Sequence, residues 1–240
     1  MTRRRWIADE FDATTASLTG AQAAHLIRVL RVKTGMQYDV VAGEHVHRAT
    51  VEEVGAERVL FTLHERVEAD SSLPLTLVLA VFKFDRLEWA IEKATELGVA
   101  SIAPIIARRT EKHLAQSVEK RVERWRRIAR EAAQQARRSQ VPQIDDPQTL
   151  KQFLSAPPRN ETRIVLAEAE RVTMLQDCLD ASDAQVQIAI GPEGGWAGEE
   201  LSLFHEKGWQ AASLGPRILR AETAAIASIA IAAARLETAS

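Results

Sequence analysis

The chain has 240 residues, 46% hydrophobic and 27% charged, with a formal net charge of −2. Such a composition is globular and large enough for one or two domains, which excludes a disordered chain. Its longest small apolar run, 224–234, falls well short of the roughly 20 residues of a membrane span, and its single cysteine, Cys178, excludes an internal disulfide and a multi-cysteine zinc site. No apolar stretch with a small-residue cleavage site follows the basic residues of "MTRRRWIADEF", so a cytoplasmic protein with no membrane partner is expected.

Up to about residue 72 the pattern is short and β-like. "YDVVAG", "VHRATVEEV" and "RVLFTLHER" are strand-like runs separated by Gly-Glu-His and Gly-Ala-Glu turns, which predicts a small barrel over 1–72. One helix interrupts it over 21–30, with Leu26, Ile27 and Leu30 facing inward and His25, Arg28 and Arg31 facing solvent. "SSLP" at 71–74 reads as the linker to a second domain over 73–240.

From Leu75 strands and helices alternate. "LTLVLAVF" is an apolar strand, and "DRLEWAIEKATELG" follows with apolar residues at helical spacing, Asp85 as cap, Glu88 completing a capping box and Gly98 as stop. "SIAPIIA" is the next strand. A basic helix then covers 117–138, its stripe being Val118, Val122, Trp125, Ile128, Ala132 and Ala136. Further strands are expected at 163–167, 185–190 and 211–214. Five mostly parallel strands with helical crossovers make an α/β layer sandwich. Trp89, Trp125 and Trp209 fall on apolar stripes and are expected in the core; Trp196 could line a pocket.

Charge is uneven. Between residues 105 and 140 there are eleven Lys and Arg against four Glu, a local +7 in a chain that totals −2. A clustered cationic face is the footprint of phosphate binding, although a solvated helix laced with ion pairs gives the same count.

Ligands of open α/β sheets sit at the carboxyl ends of strands. Two such places are distinctive: "GPEGG" after Ile190 and "LGPRILRAETA" near Leu214. Neither contains the Gly-Lys-Ser/Thr of a phosphate loop nor the G-x-G-x-x-G of a dinucleotide site, and Glu193 places negative charge where a phosphate would lie. A partly apolar, aromatic and positively charged ligand suits them better, and adenosine bearing a sulfonium has those properties. Tight turns alone are the alternative explanation of the glycines. His45 and His47 resemble a metal pair, but no third ligand is identifiable and no metal is expected.

"GPEGGW" and "LGPRILRAETA", preceded by "KATELGV" and "EAAQQARRSQVP", resemble the SPOUT methyltransferases that modify N3 of a uridine in 16S ribosomal RNA of the small subunit. The likeness covers nearly the whole chain, since "HLIRVLR" resembles a helix of that family's N-terminal PUA-like barrel. It implies a C-terminal α/β domain with a deep trefoil knot, a homodimer, and 16S RNA, within the 30S subunit, as partner. The small, apolar final helix "ETAAIASIAIAAARL" agrees with dimer packing or with burial inside one chain.

The resemblance also implies S-adenosylmethionine as cofactor, held by three loops: Leu166 and Glu168; Gly191, Pro192, Glu193, Gly194 and Gly195; and Leu214, Gly215, Ile218, Leu219 and Arg220. Arg220 and Arg138 match arginines of the family motifs and become candidate catalytic groups that orient the uracil. Glu222 is a candidate proton acceptor, or a cap or dimer contact of the last helix. Arg28, Arg31, Lys83 and Arg86 become candidate RNA contacts. One departure stands out: where the family usually has an acidic residue, glutamine, serine and glycine before its arginine, this chain has Gln134, Gln135, Ala136 and Arg137. Rival readings are a non-catalytic RNA-binding ribosome assembly factor, and the same chemistry on another RNA such as transfer RNA.

Overall fold

The computed structural model describes residues 5–69, 71–157 and 160–237. The chain divides into two compact units, one of residues 1–71 with 130–141 and the other of 72–129 with 142–240.

In the first unit lie β1 (Trp6–Ile7), β2 (Glu10–Phe11), β3 (Thr15–Thr19), α1 (Gly20–Ala24), β4 (Gln37–Ala42), β5 (His45–Val54) and β6 (Arg58–Val67). They form a six-stranded sheet in the order β1-β4-β5-β6-β3-β2, antiparallel except for β1 with β4. Alternation of apolar and polar residues turns Leu18, Val40, Ala49, Val51, Val59 and Phe61 to one face, where they bury with Trp6 and Leu26. Each large apolar side chain so buried contributes about 1.5–3 kcal/mol. Two register shifts between β5 and β6 bend this sheet.

The helix expected over 21–30 changes type midway. Residues His25–Val29 are π-helical, with Leu30 N donating to His25 O at 3.1 Å. The wider π turn advances each residue less around the axis, so the helical wheel used for Leu26, Ile27 and Leu30 fails at its end. Leu26 is buried, but Leu30 is exposed. His25 is half-buried and its ring lies 6.0 Å from that of Trp6.

The second unit holds β7 (Leu73–Ala80), α2 (Phe84–Glu96), β8 (Val99–Ile106), α3 (Lys112–Ser117), α4 (Val122–Gln135), β9 (Gln143–Ile144), β10 (Gln148–Thr149), α5 (Leu150–Leu154), β11 (Thr162–Leu166), β12 (Val186–Ile190), α6 (Gly198–Glu206), β13 (Gln210–Ala212) and α7 (Ala221–Leu236), α4 passing to the first unit from Arg130. Its seven-stranded sheet runs β10-β8-β7-β12-β11-β13, with β9 beside β8, and every pairing is parallel. A parallel sheet needs cover on both faces, and β7 and β12 are accordingly apolar almost throughout. One core cluster joins Val78, Ile105, Val165 and Ala189 of the strands to Trp196, Phe204 and Trp209.

Several expectations are corrected. The 71–74 segment is only in part a connector, because Leu73 and Pro74 open β7 and Leu73 N donates to Gly98 O at 2.8 Å. The capping box at Asp85 is absent: α2 begins at Phe84 with Lys83 as N-cap, so Glu88 falls beyond the third position and instead receives two bonds from Arg124, at 2.7 and 2.8 Å. Trp89 is 45% exposed and not core, whereas Trp125 and Trp209 are buried. Gly98, with φ +93°, does end α2. The strand expected at 211–214 is β13, and it stops at Ala212.

The basic helix expected over 117–138 is instead a 3-10 turn over Val118–Arg121 followed by α4 over Val122–Gln135, and this stretch spends much of its charge locally. Arg121 and Arg124 face Glu88, Arg126 pairs with Glu123 and Asp146, and Arg130 pairs with Asp9. Arg137 at the end of this segment has φ +59°, in the left-handed region that favours glycine.

Candidate functional site

Because β12, β11 and β13 are neighbours and parallel, the loops leaving their carboxyl ends converge. Residues 166–169 follow β11, 191–197 follow β12 and 213–220 follow β13. Between them lies a cavity of about 540 Å³, in the range of small-molecule sites. Its walls are apolar where Ile190, Leu201, Leu214 and Leu219 face it, and largely bare main chain at the glycines. Arg86, Arg109, Arg217 and Arg220 give it cationic groups, and Glu168 and Glu193 give it carboxylates.

Local chemistry explains each loop. A Cβ on Gly191 would lie 3.2 Å from Trp196 N and 3.3 Å from Gly195 C, so the turn closes on itself only with glycine. Gly195 N donates to Pro192 O at 2.8 Å, and Gly195 and Gly215 have φ of +67° and +109°. The side chain of Ser213 bridges the start of the third loop, accepting from Gly215 N at 3.2 Å. Beyond the first loop, Glu170 accepts from the amides of Thr173, Val172 and Arg171, bonds that hold its carboxyl below the usual range. Among the described residues, two of the buried polar atoms without a partner belong to this region: Trp196 Nε1, on a residue that lines the cavity, and Glu222 Oε2, on the carboxylate beside Arg86.

The structure brings together all twelve residues expected around the donor: Leu166, Glu168, Gly191 to Gly195, Leu214, Gly215, Ile218, Leu219 and Arg220. Arg86 joins them. Lys83 is exposed at the start of α2, and its backbone N–H donates to Glu193 Oε1 at 3.4 Å. Arg28 and Arg31 belong to the first unit, exposed and, among the described residues, without an acidic partner. Arg138 is also in that unit, where its guanidinium donates to Ser71 O at 3.3 Å. Glu222 is 6% exposed and absent from the cavity wall; its Oε1 lies 3.5 Å from Arg86 NH1. It is the second residue of α7, after the N-cap Arg220, so it does not cap that helix.

Sequence reasoning missed Arg109 and Arg217. The rule that pointed to the exits of β12 and β13 applies equally to β8, whose exit carries Arg109. Among the described residues no group of three or more potential metal ligands occurs; His47 Nδ1 lies 3.0 Å from His64 O. No helix there is long and apolar enough to cross a membrane.

Residues 69–233 match the RNA methyltransferase domain family. A ribosomal RNA small subunit methyltransferase E from Synechocystis sp. is 38% identical over 230 residues, which are 93% of this chain and 74% of the relative. This chain belongs to the ribosomal RNA small subunit methyltransferase E family. Two solved structures share its fold. A member of the family from Neisseria gonorrhoeae, bound to S-adenosyl methionine, has a TM-score of 0.86 at 28% identity, covering 97% of this chain and 98% of its own. A putative methyltransferase from Legionella pneumophila, in complex with the bound cofactor SAM, has a TM-score of 0.85 at 29% identity, covering 98% of both chains.

Proposed function

We propose that this protein methylates N3 of a uridine in 16S ribosomal RNA, drawing the methyl group from S-adenosylmethionine held in the cavity at the exits of β11, β12 and β13. That cavity carries the reading. Its bare main chain offers N–H and C=O groups to a purine and a ribose, its leucines and Ile190 offer apolar walls, and Glu168 and Glu193 place negative charge near a cationic ligand. Trp196 Nε1 is a spare donor beside it. S-adenosylmethionine supplies a methyl group activated by its positively charged sulfur.

As the methyl group passes from the donor's sulfur to N3 of uracil, N3 gives up its proton to solvent water, and the charge that develops spreads onto O2 and O4. Arg86, Arg217 and Arg220 face the cavity and stay protonated, so they suit a developing anion. Glu222 reads as the group that holds Arg86 rather than as the proton acceptor, since it lies off the wall and against that guanidinium. Arg138 keeps the role of orienting the RNA that its motif suggests.

Residues 1–72 are proposed as a PUA-like β-barrel that binds RNA, and 73–240 as a SPOUT domain with a trefoil knot. Arg28 and Arg31, exposed and, among the described residues, without an acidic partner, are the proposed RNA contacts there, with Lys83 and Arg86 in the second. A chain path that leaves β12 and passes β11 to reach β13 suits such a knot. The exposed Ala230 and Ala234 of α7 and the exposed Trp89 of α2 suit a homodimer. The experiment is transfer of labelled methyl to 30S subunits, naked 16S RNA and transfer RNA, followed by nucleoside analysis. Label as N3-methyluridine in 16S RNA is expected. Label in transfer RNA alone refutes the substrate, and no label in any arm favours a non-catalytic assembly factor.

A further inference from the structure

The exits of β7, β8 and β12 are tied together by bonds that donor recognition does not require. Glu200, the third residue of α6, is 8% exposed, and its two oxygens serve different loops. Oε2 accepts from Ala197 N and Oε1 from Arg108 N, both at 2.8 Å. Thr110 Oγ1 donates to Val81 O at 2.9 Å and accepts from Ala107 N at 3.1 Å, fixing the β8 exit to the end of the β7 strand. The backbone on either side of Arg109 is therefore anchored.

Arg109 itself is exposed and reaches the glycine loop. Its NH1 donates to Gly194 O, and its Cδ would lie 3.4 Å from a Cβ on residue 194. Gly194 thus leaves room for an arginine stem, and the guanidinium holds the carbonyl in the middle of the loop that forms the cavity wall. The neighbouring pair of Arg108 with Glu199 is exposed on both sides and adds little.

We propose that Arg109, one of the residues lining the cavity, is a positioning residue: carried on a turn fixed by Glu200, it acts through Gly194 O, holding loop 191–197 in its donor-binding shape. This rests on the reading of the cavity as the donor site. The bond comes from an ionised group and acts at the middle of a loop whose later part is already held by Gly195 N to Pro192 O and by Ala197 N to Glu200.

The test is calorimetric titration of the full chain with S-adenosylhomocysteine, alongside thermal unfolding without ligand. Arg109→Ala is expected to weaken binding about tenfold, or about 1.4 kcal/mol, with little change in Tm because the side chain is exposed. Arg109→Lys is expected to recover most of the loss, since one donor to Gly194 O suffices. Glu200→Gln is expected to weaken binding as well, because an amide accepts only through its oxygen and forfeits one of the two loop bonds. Unchanged affinity in Arg109→Ala, with normal wild-type binding, overturns the proposal alone. Arg109→Lys as weak as Arg109→Ala also overturns it, by assigning the guanidinium to the ligand. Absence of binding by the wild type overturns the donor reading and this proposal with it.

Discussion

Gly191→Ala isolates the claim that the loop after β12 is shaped by close backbone approach. The new methyl would sit 3.2 Å from Trp196 N, 3.3 Å from Gly195 C and 3.3 Å from Trp196 Nε1. Two of these neighbours are main chain and cannot rotate away, so the turn must open by a few tenths of an ångström. Forced packing of this kind costs about 1–3 kcal/mol. For a chain of this length each kcal/mol lowers Tm by roughly 2–4 °C. The same displacement moves Gly194, Gly195 and Trp196, so affinity for S-adenosylhomocysteine falls together with Tm. Gly198→Ala is the control: nothing lies within 4 Å of its added methyl, and it opens α6 without a positive φ. It should leave binding alone and raise stability by about 0.4–1 kcal/mol. Thermal unfolding and calorimetry on both variants decide it. A Gly191→Ala protein that unfolds at the wild-type temperature and binds as tightly as the wild type would refute the reasoning.

Arg28→Ala with Arg31→Ala should weaken RNA binding, flatten its dependence on salt and leave donor affinity unchanged; filter binding at several salt concentrations checks this, and an unaltered slope speaks against a phosphate contact. Glu222→Gln should lower the methylation rate less than tenfold if the carboxylate only holds Arg86, whereas loss of a general base typically costs about 10²–10⁴; single-turnover kinetics separate the two. Asp12 is held down to about 2, chiefly by the backbone N–H of Thr14 and then by the hydroxyl and amide of Thr15. Its folded value lies below its unfolded one, so its contribution is complete above the unfolded value of 3.8 and is lost as pH falls toward about 2. The Tm advantage of the wild type over Asp12→Asn should therefore shrink across that interval in an acid titration, and a constant difference would contradict it.

The apolar runs and the stop at Gly191 made β4 to β8 and β11 to β13 legible, because strand periodicity and glycine breaks are local properties; β1, β2, β9 and β10, of two residues each, and the five-residue β3 were not read. Sheet order was not legible. Nothing in "RIVLA" or "VQIAIG" says that β12 lies between β7 and β11, or that β13 passes to the far side of β11, since pairing is a long-range choice. The π turn at His25–Val29 was hidden for a related reason: its residues have ordinary helical spacing, and only the i→i+5 bonds reveal that Leu30 leaves the buried face. At the site, the glycine loops announced themselves through composition. Arg109 did not, because within eleven basic residues one that reaches Gly194 O looks like ten that do not. Gly194 shows the limit of reading a glycine as room for a ligand, since the space it leaves is occupied in part by the stem of Arg109.

The central claim is that loops 166–169, 191–197 and 213–220 together hold S-adenosylmethionine. Calorimetric titration of the purified, folded chain with that compound measures it directly: saturable heat at one site per chain, abolished by prior saturation with S-adenosylhomocysteine, is expected. A flat titration with protein that unfolds cooperatively on subsequent heating would contradict it.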